Sequence, residues 1–154
     1  MKLLLVCLGN ICRSPMAEGA LHARLQASPF AGRVQVDSAG TGDWHVGEPP
    51  DRRAIACARG FGVDIGAQRA RQLQAQDFHD FDWLLCADRA NVRDARQRAP
   101  AGMGDKVVLL LDWSGVMPDG EVPDPYTGGP EDFRQVWRLV DSAAQAVVAR
   151  LATR

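Results

Sequence analysis

The sequence has few of the residues that mark structural metal sites, disulfide-stabilised scaffolds or membrane spans. Its 154 residues include four cysteines and three histidines, and no two cysteines stand in a C-x-x-C pair. A zinc site or a disulfide framework is therefore not expected, and reduced thiols indicate a cytoplasmic protein. The first apolar run, residues 3–8, is shorter than the ~7–15 residues of a signal-peptide core. No segment approaches the ~18 apolar residues of a membrane span.

Lysine is also scarce, and the charges nearly cancel. The 18 basic and 19 acidic residues give a net charge of −1, and only Lys2 and Lys106 are lysines. This balance argues against nucleic acid or an anionic membrane as a partner, although a local basic pocket is compatible with it. The length fits one domain on a prior of ~150 residues per domain, and we take residues 1–154 as that domain.

Short apolar runs alternate with helical patterns along the chain. Runs of this near-continuous kind are typical of parallel strands that are buried on both faces. The predicted strands are residues 3–6, 34–36, 83–86 and 107–111, and the predicted helices are one that follows Pro15, residues 51–59, residues 91–98 and one that follows Pro130. This order predicts one α/β domain with an open parallel sheet of four strands and helices on both faces. Two long loops, residues 40–50 and 112–129, are expected to carry function.

The segment from Cys7 to Pro15, CLGNICRSP, lies between the first strand and the first helix. A cysteine followed six residues later by an arginine is weak evidence alone in a chain with so many arginines. Here, however, Gly9 and Asn10 tolerate the positive φ of a tight loop, and successive backbone N–H groups can form a nest for a dianion. The helix N-terminus adds partial positive charge, and Arg13 offers a bidentate fork for phosphate oxygens. We therefore predict a phosphate-binding loop after strand 1.

In such a loop Cys7 would be a thiolate at neutral pH and a nucleophile for phosphoryl transfer, because a helix N-terminus and a cation favour the ionised thiol. The alternative is an ordinary buried thiol that ends a strand. A phosphate monoester also needs an acid for its leaving oxygen. Asp124 stands between two prolines in the second long loop, which would fix the direction of its carboxylate. A simple turn residue is the alternative for Asp124.

These residues resemble the low molecular weight protein tyrosine phosphatase family. The likeness rests on residues 7–15 and on Asp124-Pro125-Tyr126, and it continues in order along nearly the whole chain, at residues 16–18, 37–41, 49–51, 70–72, 77–78 and 91–94. It implies a four-stranded parallel sheet flanked by helices, and a reaction that uses neither a metal nor a cofactor.

The resemblance also implies roles for individual residues. Cys7 would attack phosphorus while Asp124 protonates the leaving phenol, and Asp124 would then activate water to hydrolyse the phosphocysteine. Ser14 would steady the Cys7 thiolate, or serve only as a helix cap, and Asn10 would hold a left-handed conformation by bonding to Ser38. The oxygens of the phosphate would be held by the Arg13 side chain and by the loop residues Leu8, Gly9, Asn10, Ile11, Cys12, Arg13 and Ser14.

Substrate choice is expected to come from the walls of the phosphate slot. Trp44 and Tyr126, the only tyrosine, are the candidates for rings that stack on a substrate ring, with Leu8 and Ile11 on the rim. For Trp44 the alternative is a loop residue packed on the core. A branch of the family that acts on phosphoarginine carries Thr in place of Ile11, so Ile11 favours phosphotyrosine.

Two positions depart from the family pattern. Gln68 stands where the family often has a histidine that helps to fix the phosphate loop, and Thr127 stands where many members have a second tyrosine. The histidine contact is therefore in doubt, and regulation through a pair of phosphorylated tyrosines is not supported.

The cysteines leave other functions open. Cys12 lies five residues after Cys7, so a protective Cys7–Cys12 disulfide after oxidation is one hypothesis, and a small packing residue is the alternative. Cys57 and Cys86 are expected in the core. Rival functions are an arsenate reductase, which would need a closely spaced cysteine pair near strand 3, a module that only binds phosphoanions, and a thiol redox switch. For the phosphatase, the expected partner is a tyrosine-phosphorylated protein, such as a bacterial autophosphorylating tyrosine kinase, and we expect a monomer.

Overall fold

A computed structural model describes residues 1–153 of the chain. These residues form four strands, as the sequence predicts, and six helices of at least four residues, two more than the sequence predicts. The strands are β1 (Lys2–Cys7), β2 (Gln35–Gly40), β3 (Trp83–Cys86) and β4 (Val107–Leu109). The helices are α1 (Arg13–Gln26), α2 (Arg52–Gly60), α3 (Asp77–Asp80), α4 (Arg89–Arg98), α5 (Leu110–Trp113) and α6 (Pro130–Ala152).

The strands form one parallel sheet in the order β2-β1-β3-β4. The chain therefore reverses its direction of progress across the sheet beside β1, which is where open α/β sheets bind their ligands. Cys7, the last residue of β1, pairs with Gly40 at the end of β2. On the other side of β1, Val6 pairs with Cys86 at the end of β3. The site that follows Cys7 thus lies at the carboxyl edge of the two central strands.

Helices cover both faces of the sheet, and each face has its own apolar core. Alternate residues of β1 point to opposite sides: Leu3 and Leu5 pack with α1, α2, α5 and α6, whereas Leu4 and Val6 pack with α3 and α4. All four leucine and valine side chains are at most 1% exposed. This double burial explains why β1 is a continuous apolar run. Among residues 1–153, no helix has both the length and the apolar character that crossing a membrane requires.

Several predicted boundaries are wrong, and each has a local cause. Strand β2 extends to Gly40 rather than ending at residue 36, because it continues to pair with β1 through the polar residues Asp37 and Ser38. Strand β4 ends at Leu109, since the apolar run continues into α5, whose first two residues are also buried. Helix α1 begins at Arg13, so Pro15 is its third residue. Helix α3, only four residues long, was not predicted.

Candidate active site

The β1–α1 loop, residues 8–12, places Cys7 next to the first turn of α1. The Cys7 side chain is buried, and its Sγ lies 3.0 Å from the Ser14 hydroxyl oxygen. A hydroxyl in this position can donate to a thiolate and stabilise it. The structure therefore brings the predicted nucleophile and the hydroxyl expected to steady it into direct contact.

The backbone of this loop turns its carbonyl groups outward. The amide of Thr41 donates to the Cys7 carbonyl at 3.0 Å, Gly42 donates to Leu8 at 2.9 Å, and Asp51 donates to Ile11 at 2.8 Å. Within residues 1–153, by contrast, none of the amides of residues 8–12 donates a hydrogen bond to a protein acceptor. Unbonded amides on consecutive residues are what an anion-binding nest requires. The loop is thus held from outside by its carbonyls, and its N–H groups remain available to an anion.

Asn10 is the left-handed residue of the loop, with φ 58°. Its Nδ2 donates to Ser14 Oγ at 2.8 Å and to Ser38 Oγ at 2.9 Å, while its Oδ1 accepts from the Arg71 amide at 3.0 Å. Every polar atom of the buried side chain therefore has a partner. These bonds hold the strained conformation and link β2 to the Ser14 hydroxyl beside Cys7.

The two glycines nearest the loop are required for close approach rather than for positive φ. Gly9 was expected to supply positive φ, but Asn10 alone does so in the loop. A Cβ at Gly9 would lie 3.1 Å from His45 Cδ2, and a Cβ at Gly40 would lie 2.7 Å from the Leu8 carbonyl oxygen. The contact at Gly40 is with backbone, which cannot move aside without moving the loop.

Arg13 is buried, at 4% exposure, and is held by groups from the opposite side of the site. Its Nη1 donates to Asp88 Oδ2 at 2.7 Å and to the Val122 carbonyl at 3.0 Å, and its Nη2 lies 3.8 Å from Asp124 Oδ2. Burial opposes the charge, but Cys7 and Asp88, with a smaller contribution from Asp124, together raise the pKa of Arg13 above its ordinary value. The guanidinium therefore stays charged and fixed beside Cys7.

Asp88 is a functional candidate that sequence reasoning missed. It stands two residues after β3, and its carboxylate also accepts from the Asn91 amide at 2.8 Å as the N-cap of α4. In the sequence, the feature that could have indicated this role is its position just after the strand that pairs with β1. The sequence motif by itself reads only as a helix cap, so the contact with Arg13 needs the tertiary structure.

The slot above the loop has a volume of ≈ 290 Å³ and contains most of the predicted residues. Cys7, Arg13 and Asp124 line it together with Leu8, Gly9, Ile11, Cys12, Trp44, His45 and Tyr126. The carboxylate of Asp124 is 48% exposed, and its Oδ1 accepts from the Tyr126 amide at 3.1 Å. Trp44 is 65% exposed and Tyr126 49%, so these rings stand in the walls of the slot rather than in the core.

His45 is a second residue that the sequence did not single out. Its Nδ1 lies 2.7 Å from Glu48 Oε2, which fixes the ring against the Gly9 side of the slot. The nearby Arg53 guanidinium lies 5.5 Å from the centre of the Tyr126 ring and is bonded to both oxygens of Asp51. The orientations of the His45 and Arg53 side chains are therefore each set by a neighbouring carboxylate.

The structure shows what replaces the family histidine at Gln68. The Gln68 Nε2 donates to the Pro15 carbonyl at 3.0 Å, and within the described chain its buried Oε1 has no hydrogen-bond partner. The side chain thus holds the first turn of α1 and not the loop itself. Asn10 instead receives the Arg71 amide, so loop support does not depend on position 68. Thr127 lies exposed next to Tyr126.

The other cysteines differ in environment. Burial, with Asp51 and Cys7 as further causes, raises the pKa of Cys12 to about 12, so its thiol is protonated at neutral pH. The Cys7–Cys12 disulfide stays a prediction, since all four cysteines are free. Cys86 is buried in the core as expected. Cys57 is only half-buried and lies in a groove between α2 and α6, which differs from the expected core position.

Comparison with known proteins decides the family. The family model for low molecular weight phosphotyrosine protein phosphatase matches residues 2–154. The chain belongs to this family. A low molecular weight protein-tyrosine-phosphatase from Streptomyces coelicolor is 39% identical over 149 residues, which cover 94% of this chain and 89% of that relative.

Solved phosphatase structures agree with the fold. A protein tyrosine phosphatase from Entamoeba histolytica has a TM-score of 0.92 at 33% identity, covering 99% of this chain and 97% of the other. Wzb of Vibrio vulnificus, solved in complex with benzylphosphonate, has a TM-score of 0.84 at 32% identity, with 97% of each chain covered. The predicted α/β fold and the predicted phosphatase class are therefore confirmed, and these relatives favour a phosphatase over an arsenate reductase.

Proposed function

We propose that this phosphatase hydrolyses phosphotyrosine in proteins through a phosphocysteine on Cys7. The observation that carries the proposal is the slot itself, in which Cys7, Arg13 and Asp124 meet beside a loop with unbonded amides. Transfer of the phosphoryl group from a monoester needs three parts: a nucleophile, side chains and amides that hold the phosphate oxygens, and a proton donor.

In the first step the Cys7 thiolate attacks phosphorus, and the bond from phosphorus to the phenolic oxygen breaks. Asp124 gives its proton to that oxygen, so tyrosine leaves as the neutral phenol. The Arg13 fork and the amides of residues 8–12 hold the three equatorial oxygens, on which the transition-state charge lies. Asp88 supports this step by fixing Arg13.

In the second step a water molecule attacks the phosphocysteine from the side that the phenol has left. The water oxygen bonds to phosphorus while the Asp124 carboxylate takes a proton from this water, and the bond from phosphorus to Sγ breaks. The electron pair returns to Cys7, where the Ser14 hydroxyl at 3.0 Å can stabilise the thiolate. Inorganic phosphate leaves, and the enzyme is restored.

The walls favour an aromatic ester over an aliphatic one. Trp44 and Tyr126 can stack on a ring that stands between them, whereas the shorter phosphoserine would not reach the floor of the slot. The Vibrio Wzb was solved with benzylphosphonate, in which one methylene group joins the phosphonate to an aromatic ring. A tyrosine-phosphorylated protein, including an autophosphorylating bacterial tyrosine kinase, is the substrate class that we propose.

Hydrolysis of two aryl phosphates, with EDTA present and thiols reduced, tests this proposal. Phosphotyrosine has a poor leaving group and p-nitrophenyl phosphate a good one. We expect Cys7→Ser to be inactive on both. We expect Asp124→Ala to slow phosphotyrosine hydrolysis by about 10²–10⁴-fold and p-nitrophenyl phosphate by less, because the better leaving group needs less proton donation.

Asp43→Ala is the control, since Asp43 is an exposed carboxylate next to Trp44 that does not line the slot. It is expected to hydrolyse both substrates at the wild-type rate. A wild-type protein that binds phosphate but turns over neither substrate would contradict the proposal and favour a binding module. Faster turnover of a phosphoarginine peptide than of its phosphotyrosine counterpart would contradict the substrate class and the reading of Ile11.

A further inference from the structure

An apolar groove of ≈ 360 Å³ lies between α2 and the start of α6, outside the slot that the mechanism uses. Its floor includes Phe133, and its walls include Ala56, Gly60 and the exposed ring of Phe61. Phe61 is held in place because it stacks on Trp137, with 5.6 Å between the ring centres. This α2–α6 groove is therefore a formed depression with a rigid apolar wall.

The groove is continuous with the active site through one side chain. The Arg53 guanidinium lies 5.5 Å from the centre of the Tyr126 ring and 4.8 Å from the centre of the Phe133 ring. It thus separates the aromatic wall of the slot from the floor of the groove. A polypeptide whose phosphotyrosine enters the slot can extend over this rim in one of its two chain directions, and extended chain covers ~3.3 Å per residue. The ring centres of Tyr126 and Phe133 are at most about 10 Å apart across Arg53, which is the length of about three residues of extended chain.

The charges around the groove are paired. Arg53 and Arg134 line it, and each is bonded to a carboxylate beside it, Arg53 to Asp51 at 3.0 Å and Arg134 to Glu131 at 2.8 Å. Burial raises the pKa of the Cys57 thiol, and the positive charges of Arg134 and Arg138 oppose this effect. Because both arginine charges are offset, the apolar surface of the groove is what distinguishes one side chain from another.

We propose that the α2–α6 groove binds an apolar side chain of the substrate polypeptide, about three residues from the phosphotyrosine. The proposal rests on the proposed function, since it takes the slot as the place of the phosphotyrosine. It makes the groove a determinant of which phosphotyrosine sites are hydrolysed. Small aryl phosphates, which end at the slot, should not sense it.

Kinetics on matched peptides is the first test. Two pairs of phosphotyrosine peptides carry either Leu or Ser at the third residue before or after the phosphotyrosine. For the direction that crosses Arg53, we expect the Leu peptide to have a kcat/KM about 10-fold higher, because a hydrophobic pocket discriminates by roughly 10–200-fold. Ala56→Glu should remove this preference and leave p-nitrophenyl phosphate unaffected.

Two further variants make the test specific. Gly60→Leu should fill the groove without strain, because a Cβ at this exposed position meets no atom within 4 Å; it too should abolish the preference. Ala23→Glu makes the same substitution at an exposed position near the end of α1 that lies away from the loop. It should keep the wild-type preference. Retention of the preference in both groove variants would overturn the proposal.

Cys57 supplies a readout that does not depend on turnover. In Cys7→Ser it is the half-buried thiol, whereas Cys12 and Cys86 are buried, so its alkylation can be followed by mass spectrometry. At equal occupancy of the slot, the Leu peptide should slow alkylation several-fold and the Ser peptide should not.

The outcomes separate this proposal from the proposed function. Failure of p-nitrophenyl phosphate hydrolysis would overturn the mechanism, while Cys57 protection would still decide the groove. Equal alkylation with both peptides would overturn the groove proposal. So would protection that rises with protein concentration without peptide, because the occupant would then be a second copy of the chain.

Discussion

Arg13 illustrates how the fold maintains a buried charge beside Cys7. The side chain is nearly inaccessible, and burial alone would favour the neutral form. Cys7 and Asp88 offset this cost, but only Asp88 is a fixed structural partner, since Cys7 becomes bonded to phosphorus during the proposed reaction. Asp88 therefore has to hold the guanidinium in every state of the cycle.

Asp88→Asn tests this role of the carboxylate. Asparagine caps helices as well as aspartate does, so α4 should remain intact, and the midpoint of thermal unfolding should fall only by the contribution of the lost bond to Arg13. The charge-assisted bond to Arg13 is lost, and such bonds contribute about 1.5–3 kcal/mol. We expect kcat/KM for p-nitrophenyl phosphate to fall by roughly 10–100-fold, as measured by steady-state kinetics.

The matched control is Asp94→Asn on the same helix, whose carboxylate lies 3.9 Å from Arg93 and away from Arg13. It should be as active as the wild type. Wild-type kcat/KM in Asp88→Asn would show that Arg13 is positioned by the Val122 carbonyl alone.

At the scale of the elements, the register of β1 against β2 positions the loop. Cys7 pairs with Gly40, and the Leu8 carbonyl next to it receives the amide of Gly42. Gly40 has to lack a side chain because the loop backbone passes directly over it. The end of β2 thus acts as a template for the phosphate loop.

Gly40→Ala is expected to displace this loop. Its Cβ would lie 2.7 Å from the Leu8 oxygen, so the loop must move, and a shift of about 1 Å at a reacting centre can cost 10²-fold in rate. We expect kcat/KM to fall by about 10²-fold or more, with a lower thermal midpoint. Gly104→Ala, whose nearest neighbour would be an arginine methylene at 3.8 Å, is the control and should be neutral. Full activity in Gly40→Ala would contradict the template role.

The limits of sequence prediction are visible in the same elements. Strands β1 and β3 could be predicted because both of their faces are apolar. The loop from Cys7 to Arg13 could be predicted because the residues that shape it are consecutive in the chain. Strand β2 could not be bounded, since Ser38 is polar yet faces Asn10 inside the fold. Asp88 and His45 reach the slot only through the pairing of β1 with β3 and the fold of the long loop. Contacts between distant segments leave no periodic signal in the sequence.

Helix α1 carries a partly buried carboxylate, Glu18, close to β2. Burial raises the pKa of Glu18 to about 7, with Asp37 adding to the effect, while a hydrogen bond from Ser38 and the charge of Arg71 oppose it. His22, one turn along α1, lies 3.7 Å away. An unfolded glutamate has a pKa of about 4.3, so between this value and 7 the folded state binds more protons than the unfolded state.

Glu18→Gln should therefore change the pH dependence of stability. A raised folded-state pKa means that the free energy of unfolding of the wild type falls as pH rises from about 4.3 to about 7, and the glutamine variant lacks this loss. The variant should be similar to the wild type near pH 5 and more stable at pH 8, by about 3 kcal/mol, since one pKa unit corresponds to about 1.4 kcal/mol. Urea unfolding at several pH values measures the difference.

Asp105→Asn, at an exposed carboxylate, is the control for this series and should not alter the pH dependence. Equal stability of Glu18→Gln and the wild type at pH 8 would mean that Glu18 is ionised in the fold at no cost. A destabilised variant at every pH would indicate that the ionised carboxylate is needed for Ser38 or His22.

At the scale of the whole molecule, the phosphate site joins three segments that are distant in the chain. The β1–α1 loop receives the Asp51 amide from the loop before α2, and Arg13 bonds to the Val122 carbonyl from the loop before α6. The Val122 amide in turn donates to Ala87, just after β3. An anion bound at the loop therefore stabilises contacts that close the carboxyl edge of the sheet, and its binding should be felt by global unfolding.

Thermal unfolding with inorganic phosphate measures this coupling. A ligand that binds only the folded state, at about 100 times its Kd, stabilises by about 2.7 kcal/mol. For a chain of this length each kcal/mol shifts the midpoint by about 2–4 °C, so we expect a rise of roughly 5–10 °C. Arg13→Lys keeps a cation but loses the bidentate fork, and at the same phosphate concentration its midpoint should rise by less. Potassium chloride of equal ionic strength controls for screening, because a nest built from amides and a guanidinium fork selects a dianion over chloride.

An equal shift in chloride, or the full shift in Arg13→Lys, would contradict binding of phosphate at this loop.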